Sequence, residues 1–61
     1  MAESEQLVQN IAAFIAAYRS AGRPPADMKG ACLEEVPGAT GSDFAIGLIA
    51  ANRVAREGAN A

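Results

Sequence analysis

The chain has 61 residues, 51% of them hydrophobic, and a net charge of −2 from five basic and seven acidic residues. That length sets a single domain, 1–61, which buries only about 60% of the surface its unfolded chain exposes. A lone cysteine, Cys32, excludes an internal disulfide, and the lack of histidine leaves a poor ligand set for structural zinc. Stability must then come from helix packing or from association, and a homodimer is expected on this ground.

The charges are scattered, as on a solvated surface, and their acidic balance argues against nucleic acid or an acidic membrane as partner. Fifteen alanines favour an all-α fold. Glu3 and Glu5 stand where a secretory leader would be basic, and the uncharged run from Gln6 to Tyr18 is too short to span a bilayer. A cytoplasmic location is therefore expected.

The first helix is predicted over about 5–21. Ser4 is its expected N-cap, with Glu5 in the first turn where the helix dipole favours an anion. Leu7, Ile11, Phe14, Ile15 and Tyr18 recur at spacings of three and four and form one apolar face. Arg19 suits the negative helix end, and Gly22 suits the position just past it.

Arg23-Pro24-Pro25 is a stiff connector, in which Pro25 forces Pro24 to be extended and can itself open the next helix. The second helix is predicted over about 26–35, on a narrow stripe of Met28, Cys32 and Val36 with Ala31 and Leu33 beside it. Gly30 in its interior suggests that another backbone comes close there. Glu34 and Glu35 in its last turn oppose the dipole, so this helix must be held by tertiary contacts.

Val36 through Asp43 reads as a stop, a turn and a start. Pro37 ends the second helix, Gly38 and Gly41 permit positive φ, and Thr40 or Ser42 can cap the third helix. Thr40 with Asp43 resembles a capping box, Asp standing in for the usual Glu. The third helix is predicted over about 43–56, with a tail, 58–61, after it. Phe44, Gly47, Leu48, Ala51 and Ala55 share a face, Val54 lies near that seam, and Ile46, Ile49 and Ala50 occupy a flank. Gly47, Ala51 and Ala55 form a row of small residues that admits a neighbouring helix, and packing on the first helix is the preferred use of it.

The expected architecture is a small all-α three-helix domain with a short middle helix and a helix-turn-helix-like connection between the second and third helices. Its expected core is Leu7, Ile11, Phe14, Ile15, Tyr18, Met28, Cys32, Leu33, Val36, Phe44, Leu48 and Ala51.

Catalytic chemistry finds no support in the residues. There is no histidine base, Cys32 lies on an apolar stripe, and Glu34 and Glu35 are adjacent and so diverge on a helix. The loop from Gly38 to Ser42 enters a helix as an anion site would, but lacks a lysine and has Asp43 in the anion's place. No catalytic residue, cofactor, metal or small-molecule substrate is expected. A helix apolar over most of its girth is buried on more than one side. That points to Ile46, Ile49, Ala50 and Arg53 as residues meeting a protein partner or a second copy. The expected function is that of a non-enzymatic interaction module: a regulator, an inhibitor or a minor component of an assembly, phage-encoded ones included. The alternative is a helix-turn-helix transcription regulator using Thr40, Ser42, Arg53 and Arg56 on DNA, disfavoured by Glu34, Glu35 and Asp43.

Overall fold

The computed structural model describes the backbone of residues 2–60 and the side chains of residues 5–58. It contains three α-helices, α1 (Ala2–Ser20), α2 (Met28–Glu35) and α3 (Gly41–Asn60), with a short 3-10 turn (Pro25–Asp27) ahead of α2. The chain is a small all-α three-helix domain, and no strand occurs among the described residues.

The long helices exceed their predicted bounds. α1 begins at Ala2, so Ser4 lies inside the helix and is not its N-cap. α3 runs through Gly58 to Asn60, where a tail was expected from residue 58. Gly58 is not among the positive-φ glycines, so nothing in its backbone ends the helix.

The stops and starts within the chain obey local chemistry. α1 closes with a Schellman motif. Gly22, at φ +71°, donates its N–H to the Arg19 carbonyl at 3.0 Å, and Arg23 donates to the Tyr18 carbonyl at 3.5 Å. Pro24 is extended (φ −61°, ψ 126°), and Pro25 opens the 3-10 turn that leads into α2. After α2, Val36 is extended (φ −106°, ψ 99°), as a residue before proline prefers. Pro37 and Gly38 (φ +83°) then form a turn closed by the Ala39 N–H on the Val36 carbonyl at 3.2 Å. Proline before a positive-φ glycine is the signature of a type II turn. Gly41 needs no positive φ and is simply the first residue of α3.

Thr40 and Asp43 form the expected capping box. The Asp43 carboxylate accepts from the Thr40 N–H and hydroxyl, both at 3.0 Å, and the Asp43 N–H donates to Thr40 Oγ1 at 3.2 Å. Two donors that the start of a helix leaves free are thereby occupied.

The core is small: Ile11, Ile15, Tyr18, Met28, Cys32, Phe44 and Ala51 are buried, with Leu7, Phe14, Leu33, Val36 and Leu48 partly buried against them. Every expected core residue is in this set. The dominant contact is between α1 and α3, which meet where Gly47 lies on Ile11 and Ala12. A Cβ built on Gly47 would fall 2.8 Å from Ile11 Cβ and 3.5 Å from the Ala12 backbone nitrogen. The small-residue row is used inside the fold at Gly47 and Ala51. Gly30 has the opposite status: nothing lies within 4 Å of a Cβ placed there, so the expected close approach is absent.

Tyr18 fastens the first connector. Its hydroxyl donates to the Pro24 carbonyl at 2.7 Å. The Arg23 guanidinium sits 4.5 Å from its ring centroid and the Phe14 ring 5.7 Å away. A buried phenol needs such a partner, and the cation over its face adds about 0.5–1 kcal/mol.

Gly30 and Gly47, each inside a helix, should respond to alanine with opposite signs. Gly30→Ala meets only open space and gains helix propensity, so it should raise unfolding stability by about 0.5–1 kcal/mol. Gly47→Ala must displace Ile11 and should lower it by about 1–2 kcal/mol, since overpacking outweighs the propensity gain. Urea denaturation monitored by circular dichroism reads both.

Candidate functional site

The Cys32 thiol, the Tyr18 hydroxyl and the Thr40 and Asp43 side chains are engaged in the fold. Cys32 is fully buried in the core, and burial pushes its thiol pKa above the ordinary value of 9.0. A thiol held neutral is a poor nucleophile. The Asp43 carboxylate and the Thr40 hydroxyl are bonded to each other at the start of α3. That start is therefore capped by the chain itself, and the turn-and-cap reading of the glycine-containing loop accounts for its geometry. Among the described residues no three of His, Cys, Asp and Glu come together as a metal site would require. Nor is any described helix long and apolar enough to cross a membrane.

The apolar groups are not all engaged. Ile46 is 51% exposed, Ile49 60% and Val54 66%, although α3 also carries the buried Phe44, Gly47 and Ala51. The inward and outward residues alternate at helical spacing, so one face of α3 is in the core and the other in solvent. Val54, expected near the inner seam, faces the space between α1 and α3 with Ala51 and Ala55 but is not buried there.

Two surfaces result. The first is a stripe along α3. Ile46, Ile49, Arg53 and Arg56 succeed one another at spacings of three, four and three, and all four are exposed. That is the repeat of a two-helix seam. Ile49, Asn52, Arg53 and Arg56 line a shallow depression of about 240 Å³ on it. Ala50, half-buried, adjoins the stripe.

The second surface is a groove of about 420 Å³ between the C-terminal halves of α1 and α3. It is lined by Ala12, Ala13, Ala16 and Arg19 from α1 and by Ala51, Val54 and Ala55 from α3. Sequence reasoning did not find this groove. Its signal was present as alanine pairs four apart, Ala12 with Ala16 and Ala51 with Ala55. Only the meeting of α1 and α3 at Gly47 shows that the two pairs face a common space.

Of the residues expected to bind a partner, Ile46, Ile49 and Arg53 share the stripe, with Ala50 on its edge. Those expected to bind DNA are divided. Thr40 and Ser42 lie at the start of α3, while Arg53 and Arg56 lie in its C-terminal half. At 1.5 Å per residue, Ser42 and Arg56 are roughly 21 Å apart along the axis. A recognition helix presents its N-terminal residues to the bases. Here that end carries the Asp43 carboxylate, and the Thr40 hydroxyl is already engaged.

Because the only thiol is sealed in the core, a thiol reagent should modify Cys32 in the native protein no faster than the fold opens, and fully in denaturant. A folded-state pKa raised above the unfolded value means stability is complete below about pH 9 and falls as pH rises past it. The fall should be shallower in Cys32→Ala, read by urea denaturation at pH 7 and pH 10. No family model, curated protein or solved structure matches the chain.

Proposed function

We propose that this chain is a non-enzymatic helical protein-interaction module that acts through a macromolecular partner, as a regulator, an inhibitor or a minor component of an assembly. The observation that carries the reading is the exposure of Ile46 and Ile49 on a helix whose other face forms the core. Scattered single apolar residues on a surface are ordinary. Two isoleucines three residues apart on one helix, with the half-buried Ala50 beside them, put apolar surface together on the outward side, which supports an interaction site there. The mode that fits is helix against helix, with anchors at spacings of three and four.

Ile46→Glu and Ile49→Glu should each weaken capture of the native partner at least about tenfold while leaving helicity and unfolding midpoint within error, because neither side chain supports the core. Affinity capture from the source cell with quantitative mass spectrometry, paired with circular dichroism, checks this. Undiminished capture by both variants would remove the isoleucines from the function.

A further inference from the structure

We infer that the outward stripe of α3 receives an acidic amphipathic helix, and not a second copy of this chain. The inference rests on the interaction reading above and names the chemistry of the partner. The stripe has two unlike halves: Ile46 and Ile49 are apolar, Arg53 and Arg56 are cationic, and all four lie on one seam. Two of the five basic residues of an acidic chain are placed together there, sharing one depression with Ile49 and Asn52. Of the acids on the same helix, Asp43 is held in the capping box, and Glu57 stands four residues after Arg53, where it can reach that one guanidinium but is no match for both.

A second copy fits this pattern in neither direction. A parallel copy sets Arg53 on Arg53 and Arg56 on Arg56. An antiparallel copy centred on the stripe sets Arg56 over Ile46 and Arg53 over Ile49, so the guanidiniums lose water without gaining an acid. A nucleic acid would meet the arginines but leave the isoleucines against phosphate or water. The occupant that satisfies both halves has two apolar residues opposite Ile46 and Ile49 and two carboxylates opposite Arg53 and Arg56. Guanidinium pairs planar carboxylates through two parallel hydrogen bonds, which fixes the register of the partner as well as its charge.

The test uses two synthetic helical peptides of about three heptads with the same leucines on the seam. One carries glutamate at the two remaining seam positions and the other lysine. Each is titrated into the isotopically labelled full chain and monitored by amide chemical shifts. The glutamate peptide should bind at least about tenfold tighter than the lysine peptide, with shifts confined to residues 46–56. Arg53→Glu combined with Arg56→Glu should reverse that preference, and circular dichroism of this variant confirms that the exposed substitutions leave the fold intact. Equal affinity for the two peptides overturns the charge inference and leaves the interaction reading standing. Binding of neither peptide at millimolar concentration also overturns it. So does a wild-type dimer in sedimentation that Ile49→Glu disperses, or a duplex DNA that shifts the same amides more strongly. Undiminished partner capture by Ile46→Glu and Ile49→Glu would remove the interaction reading as well.

Discussion

The structure depends on the contact of Gly47 with Ile11. A helix of 20 residues has no reason to lie at one particular angle and height on another of 19 unless something removes the alternatives. Here the missing side chain at Gly47 lets the α3 backbone settle against Ile11 and Ala12, closer than any residue with a Cβ allows. Ile11 is fully buried by that approach, and Ile15 and Ala51 are the next inward positions on their helices. The remainder of the core, Tyr18, Met28, Cys32 and Phe44, closes around a crossing already set. Interiors are packed as densely as organic crystals, so a contact this close fixes geometry as well as contributing energy.

The short α2 is subordinate to that pair. It has a glycine in its interior, no side-chain cap and two glutamates at its negative end. It supplies Met28 and Cys32 to the core and is held in place by the connectors at its two ends. Those connectors are stiff for separate reasons. One is pinned by the Tyr18 hydroxyl on the Pro24 carbonyl and by Arg23 over the phenol ring. The other is a proline-glycine turn that runs directly into a capped helix.

What was legible in the residues was local. Apolar spacing identified the inner faces of α1 and α3, because a helix shows its buried side in the period of its own sequence. Gly22, Pro37 with Gly38, and Thr40 with Asp43 were readable because each acts within a few residues of itself. What was not legible depended on distance between segments. Gly30 and Gly47 look alike as single glycines in helices, yet only Gly47 touches another helix. Ser4 is a good cap by type, but Ala2 and Glu3 ahead of it are competent helix formers, and α1 starts with them. Val54 fits the inner seam by spacing alone. It is exposed because the groove between α1 and α3 lies open at its level. The site obeyed the same rule: Ile46 and Ile49 stood out as surplus apolar residues on one helix, while the alanine groove, built from two helices, did not.

That α3 serves the core with one face and solvent with the other links two equilibria. Domains of this size fold with only a few kcal/mol in hand. Any ligand that covers the outward face binds the folded chain alone, since the face exists only when the helix does. At a hundred times its dissociation constant such a ligand adds about 2.7 kcal/mol to the folded state. For so small a core that is a large share of the whole, so occupancy of the outer face would govern how long the chain survives proteolysis.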